Sequence, residues 1–243
     1  MLTRAKPDPA QHPKRFYAIA APGPVDGGFG VLLDGRPVRT PAGSKLALPT
    51  PAAAALVAAE WAAQGDHILL ADMLATRLGF TAIDRAPEAR EEAAGEIVAR
   101  AGADVLCYFA DGPAGLVELQ VQHWGPMLDW AAAELGLELV RVSGLIHQTQ
   151  PAATLERVRS LALALSDFEL TGLVNAAGLY GSAILAFASQ RGQLDGDATL
   201  DLSRLDEAFQ EERWGIDEDA AARTAHMRGE AGVLEQWFRA LRT

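Results

Sequence analysis

The hydrophobic and polar positions of this chain change rhythm after about residue 50. Up to that point apolar residues come in short runs separated by turn formers. RFYAIA (15–20) reads as a strand, and FGVLLDGRPVRT (29–40) holds Asp34-Gly35 between two apolar runs, the pairing that favours a tight hairpin. Pro37 puts the returning strand at an edge or a bulge, because proline has no N–H to give a ladder. Gly23, Gly27, Gly28 and Gly30 read as a turn ahead of a strand. A second turn at Pro41–Ser44 leads to Lys45–Leu48, so a small antiparallel meander is expected.

Helical spacing takes over at Thr50-Pro51. Thr50 can accept a backbone N–H as N-cap, and Pro51 sits where a missing N–H costs nothing. That helix runs on alanines to Gly65. Beyond it the period of the apolar residues predicts helices over 71–84, 87–101, 115–135 (with a local kink at Pro126), 151–165, 168–191, 199–213 and 217–241. Short extended pieces are expected at Val105–Phe109 and Glu138–Val142. Within 168–191, Gly172, Gly178, Gly181 and Ser182 lie among apolar residues, a spacing that lets helix backbones approach closely. A buried central helix is the first reading, and a partly exposed apolar groove for a client protein the second. The expected fold class is α+β: a mobile leader (1–14), a small β-rich N-terminal domain with one packed helix (15–70), and a larger, mainly α-helical C-terminal domain (71–243).

Composition narrows the function. With 49% hydrophobic and 22% charged residues over 243 positions, the chain can bury a substantial core. A net charge of −11 argues against nucleic acid and anionic membrane surfaces as partners. No apolar run reaches the ~18 residues of a membrane span, so no membrane insertion is expected. The start is too polar for a secretory signal and lacks the amphipathic period of a mitochondrial presequence. Heavy alanine and glycine usage points to a bacterial source, and the acidity fits a cytosolic protein. Cys107 stands alone in an apolar run and reads as a buried, inert thiol.

Candidate catalytic chemistry is sparse. His12, His67, His123, His147 and His226 are not spaced for a metal site, and Ser143-Gly144 and Gly181-Ser182 do not make a nucleophile elbow. No phosphate-binding or dinucleotide loop occurs. No metal, cofactor or small-molecule substrate is therefore expected, and no enzymatic activity. The rival reading, an enzyme with an unrecognised carboxylate-lined site, requires a deep pocket whose carboxylates have raised pKa values.

The stretch LDEAFQEERWGIDEDA (205–220) has a different character, that of a surface that grips another protein. Asp206, Glu207, Glu211 and Glu212 crowd around Phe209 and Trp214. If 199–213 is one helix, Leu202, Leu205, Phe209 and Glu212 share a stripe, with Asp206 at its edge and Glu207 and Glu211 opposite. A carboxylate on an apolar stripe is costly to bury alone, so Glu212 either meets a basic partner inside the fold or marks a docking surface. Trp61, Trp124, Trp130, Trp214 and Trp237 each read as core before interface.

RFY at 15–17, LDGRPVRTPAG at 33–43, LPT at 48–50, EWAAQ at 60–64, TAID at 81–84, DVLCYFA at 104–110, QHWGPMLDW at 122–130 and the 205–220 segment occur in this order. Together they resemble the ATP synthase assembly chaperones that bind the free alpha subunit of the soluble catalytic head. That family is best known in mitochondria and has alpha-proteobacterial relatives. The resemblance implies a small β-rich domain before a helical one, and no nucleotide hydrolysis by the chaperone. It implies a client, the alpha subunit, whose interface is shielded until the beta subunit joins. It also implies a bacterial cytoplasmic location here, and the mitochondrial matrix for eukaryotic relatives. The family's key acidic position falls on Asp206 or Glu207. Charge complementarity then assigns Asp206, Glu207 and Glu211 to basic residues of the client, with Trp214 as an apolar anchor. A permanent scaffold would need the same docking surface.

Overall fold

The computed structural model describes residues 12–144 and 148–242; residues 1–11 of the expected leader, and His147, lie outside the described residues. The architecture is α+β, a small sheet followed by a mostly helical region. The chain divides into two compact units, Met1–Asp84 with Ala240–Thr243, and Arg85–Arg239.

In the first unit β1 (Ala20–Val25), β2 (Gly28–Leu33) and β3 (Arg36–Pro37) form an antiparallel sheet in that order. The Asp34-Gly35 hairpin forms as expected, with φ of 48° and 82°, both positive as a type I′ turn requires. The expected strand at 15–20 does not: only Ala20 belongs to the sheet. The glycines expected to form a turn ahead of the strand instead build a second hairpin, with Val25 opposite Gly28 across Asp26-Gly27. Their reason is steric. A Cβ on Gly28 would lie 2.4 Å from the Leu48 carbonyl oxygen, and one on Gly30 2.8 Å from that of Leu46. The register also sets the outer edge of β1. Ile19 accepts the Asp34 N–H, so 19, 21, 23 and 25 pair inward and Ala20, Pro22 and Pro24 face away from β2. Two of those three outward positions have no N–H to offer.

Helix α1 (Pro51–Ala62) starts as the sequence predicts, with the Thr50 hydroxyl oxygen accepting the Ala53 N–H at 3.0 Å. Its buried face, Ala53, Ala54, Val57, Ala58 and Trp61, follows the helical period. The carboxylate of Glu60 accepts the N–H groups of Ala75 and Thr76, each at 2.7 Å, and so caps α2 (Leu74–Asp84). At the other end of α2, Asp84 accepts the Thr40 hydroxyl at 2.6 Å and the Ala42 N–H at 3.0 Å. The Tyr17 hydroxyl donates to the Trp61 carbonyl at 2.7 Å, and Arg15 donates to the carbonyls of Tyr17 and Ala18. Much of RFY, EWAAQ, RTPAG and TAID is thus scaffold.

The second unit holds α3 (Ala86–Gly102), β4 (Tyr108–Phe109), α4 (Ala114–Trp130), β5 (Val142–Ser143), α5 (Ala152–Leu163), α6 (Asp167–Tyr180), α7 (Ala183–Arg191), α8 (Gly196–Ser203) and α9 (Leu205–Trp214). It also holds α10 (Glu218–Arg242) up to Arg239. The expected extended pieces shrink to β4 and β5, a parallel pair with Tyr108 opposite Val142. After Trp130 the α4 helix widens into one π turn, Ala131–Leu135. The single helix expected over 168–191 is two. Gly181, at φ 67°, ends α6 in the left-handed conformation, and Ser182 caps α7 by accepting the Leu185 N–H at 3.0 Å. Residues 183–190 are buried, as the central-helix reading expects, whereas α6 leaves Asn175 and Gly178 exposed. Close approach does occur at Gly172, but against side chains: a Cβ there would lie 2.8 Å from the Phe238 ring and 2.9 Å from that of Trp237. Trp124, Trp237, Tyr180, Phe187 and Phe238 are the largest buried side chains of this unit.

Candidate protein-binding surface

The helix expected over 199–213 breaks at Arg204, whose φ and ψ of −114° and 19° lie outside the helical region. The break has a local cause. In a continuous helix the Leu202 carbonyl would accept the Asp206 N–H; instead it accepts the indole N–H of Trp124 from α4 at 2.9 Å. A new helix, α9, begins there, with the Ala208 N–H donating to the Arg204 carbonyl. Asp206 and Glu207 occupy its first turn, where the helix dipole favours carboxylates. It ends at Gly215, at φ 83°, and Asp217 then caps α10 by accepting the Ala220 N–H at 2.7 Å.

The expected stripe of Leu202, Leu205, Phe209 and Glu212 is therefore divided between two helices. Leu205 is the only buried residue of α9. Phe209 is half-buried and carries the Arg213 guanidinium 4.1 Å from its ring centroid. Glu212, on the same face of α9 as Leu205 and Phe209, is exposed and meets no basic partner among the described residues, so of the two expectations for it the basic partner inside the fold is not met.

The five residues assigned to partner binding separate into two kinds. Asp206 is half-buried and accepts a hydrogen bond from the Gln120 amide of α4 at 2.8 Å, while the same Gln120 accepts the Ala110 N–H at 2.7 Å. Glu211 is held by Arg204 at 2.7 Å, both partly buried. These two carboxylates are tied into the second unit and orient α9. Glu207, Glu212 and Trp214 face solvent without a hydrogen-bond partner among the described residues. Trp214 is 87% exposed, and Ile216 just beyond it is 50% exposed. With Glu207, Gln210 and Asp217 they border a shallow depression of about 260 Å³. Ile216 was absent from the sequence-based assignment; its one legible sign is an aliphatic residue stranded between Gly215 and Asp217. Trp214 goes against the core reading that holds for Trp61, Trp124 and Trp237, all buried.

Other reactive groups serve the scaffold. Burial, reinforced by the Asp104 charge, pushes the Cys107 thiol up to about 12, so it carries no thiolate at neutral pH. Asp104 is fully buried, and that burial raises its pKa to about 6 against the opposing Ser182 hydroxyl and backbone N–H donors. It accepts the Leu106 N–H at 3.2 Å and the Ile184 N–H at 3.1 Å, and so fixes the start of α7. Burial also raises the pKa of Glu60, the α2 cap. Neither carboxylate borders any of the described grooves. No group of His, Cys, Asp and Glu able to hold a metal ion occurs among the described residues, and no described helix is long and apolar enough to cross a membrane.

A family model described as the ATP12 chaperone protein matches residues 14–132. The crystal structure of Atp12 from Paracoccus denitrificans is 38% identical, covering 95% of this chain and 99% of that one, with a TM-score of 0.87. The chain belongs to the ATP12 chaperone family. This is the ATP synthase assembly family that the sequence motifs resemble. An aspartate-to-lysine mutant of P. denitrificans Atp12p matches over 95% of this chain and 98% of that one, at 37% identity and a TM-score of 0.86. The mitochondrial protein atp12 of Schizosaccharomyces pombe is 25% identical over 228 residues, 89% of this chain and 78% of that protein. The ATP12 fold thus extends across both compact units, well past the residues matched by the family model.

Proposed function

We propose that this ATP12-family chaperone holds the free alpha subunit of the ATP synthase catalytic head and shields its interface until the beta subunit joins. The observation that carries the reading is the surface of α9: an indole and an aliphatic side chain open to solvent, beside Glu207, a carboxylate with no hydrogen-bond partner among the described residues. Subunits awaiting an obligate interface expose apolar area that aggregates. An exposed indole supplies an anchor for such area, and the free carboxylate of Glu207 on the same face orients it against basic residues, with Glu212 exposed on another face of α9. Asp206 and Glu211 act through position, by fixing α9 against α4 and Arg204. The protein works by binding, without turnover or cofactor, in the bacterial cytoplasm.

Co-purification with separately expressed alpha and beta subunits of the same organism tests this. Alpha alone is captured, and it is released when beta is added; alpha retained in the presence of beta would make the protein a permanent scaffold. Trp214→Ser and Glu207→Lys each weaken capture by about tenfold or more; the unfolding midpoint stays unchanged for Trp214→Ser and falls only slightly for Glu207→Lys, which places a cation in the first turn of α9 at a cost of about 1 kcal/mol. Failure of the native protein to capture alpha removes the client. Unchanged capture by both variants removes the surface.

A further inference from the structure

The acidity of this chain is confined to one part of it. Residues 1–84 carry eight lysines and arginines against seven carboxylates, whereas 85–243 carry thirteen against twenty-five. Within the first unit a groove of about 580 Å³ opens beside the β2–β3 hairpin, a size that suits a few residues of peptide or a small ligand. Leu33, Val38 and Trp61 line it, Phe16 stands at its side, and Arg36 and Arg39 border it.

Three features of this groove are unexplained by the fold. Phe16 is 73% exposed, although its neighbours Arg15 and Tyr17 are both tied down by hydrogen bonds to backbone carbonyls. The indole N–H of Trp61 is buried and meets no acceptor, a cost that a folded protein ordinarily avoids. The Arg36 guanidinium is exposed and makes no hydrogen bond among the described residues, though its charge, with that of Arg15, acts on Asp34, and Arg39 spends only one donor, on the Gly43 carbonyl. The single carboxylate of the groove, Asp34, is occupied by the N–H groups of Ala18 and Ile19. An aromatic wall, an apolar floor and two guanidinium groups form a site for an apolar residue next to negative charge.

We infer that this groove binds an extended, acidic segment of a partner protein, with an aliphatic or aromatic side chain against Phe16 and Trp61 and a carboxylate against Arg36 and Arg39. It is a second contact, separate from α9 and opposite to it in charge preference. Guanidinium pairs recognise carboxylates bidentately, and the apolar floor supplies the burial that an ion pair on a surface lacks.

The test uses the whole protein and two fluorescein-labelled octapeptides, alternating Glu-Leu and alternating Lys-Leu, with fluorescence anisotropy as the readout. The Glu-Leu peptide binds at least about tenfold more tightly than the Lys-Leu peptide. Arg36→Glu combined with Arg39→Glu, and separately Phe16→Ser, each weaken it by about tenfold. Thermal melts stay unchanged because these side chains are exposed. Glu207→Lys leaves the peptide affinity unaltered, so this result is independent of alpha-subunit capture. In proton NMR the Trp61 indole N–H signal, assigned with Trp61→Phe, moves on addition of the Glu-Leu peptide. Equal binding of the two peptides, unaltered affinity in the groove variants, or a stationary Trp61 signal overturns the inference. So does a dimer in sedimentation that Arg36→Glu with Arg39→Glu dissociates, since the occupant would then be the acidic unit of a second copy.

Discussion

Asp104 shows how much one buried carboxyl can do for a helical unit. Its oxygens hold the N–H groups of Leu106 and Ile184, which lie eighty positions apart from the carboxyl in the case of Ile184. Because burial raises its pKa from 3.8 to about 6, the folded chain binds that proton more tightly than the unfolded chain does. The stabilisation is fully present below the unfolded value and is lost as pH rises through about 6, a change on the order of 3 kcal/mol. Urea melts at pH 4 and pH 7 of the native protein and of Asp104→Asn measure it. Asp104→Asn is the less stable at pH 4, and its deficit shrinks toward pH 7. A deficit independent of pH would mean that Asp104 keeps its charge when buried. At the same scale, the acidic cluster of 205–220 was legible as a set of residues but not as a division of labour. Gln120 is 86 positions from the Asp206 that it holds, and nothing in either local pattern announces the pairing.

At the scale of elements, local chemistry was readable wherever the backbone itself set the outcome. Asp34-Gly35 forms its turn and Thr50-Pro51 starts its helix because positive φ and a capping oxygen are properties of those residues alone. Gly181-Ser182 carried the same kind of signal, a left-handed stop followed by a cap, and was obscured by the apolar period running through it. The break at Arg204 had no such signal, since the carbonyl that the helix needs is taken by Trp124 from another helix. Tertiary contact also explains Gly196, at the start of α8. A Cβ there would lie 2.6 Å from the Ala231 carbonyl oxygen of α10, a backbone atom that cannot swing away. Gly196→Ala therefore pushes α8 from α10 and lowers stability by about 1–3 kcal/mol, read from the shift in urea midpoint. Gly229, with open space around its Cβ position in the same helix, gives no loss from steric contact when replaced by alanine. Equal effects at the two sites would refute the close-approach account.

For the molecule as a whole the uneven charge has a kinetic consequence. A strongly acidic second unit attracts a basic client surface over distances that salt screens, since the Debye length falls from about 30 Å at 0.01 M to about 3 Å at 1 M. On the proposed function, the association rate with the alpha subunit, followed by the stopped-flow tryptophan fluorescence that Trp214→Phe removes, drops by about tenfold or more between low and high salt, whereas the dissociation rate changes little. A salt-independent association rate would assign client capture to apolar contact alone. The same molecule has a sheet with an open side, and there the two prolines of β1 matter. A protein whose trade is to wait beside unfinished, adhesive subunits is at risk of zipping onto them strand to strand, a contact that grows and does not let go. With Pro22 and Pro24 facing outward, that edge offers only the Ala20 N–H among its three outward positions, too few donors for such a ladder. On the proposed function the client is gripped by side chains on α9, and a grip made of side chains can be outbid when a permanent neighbour arrives.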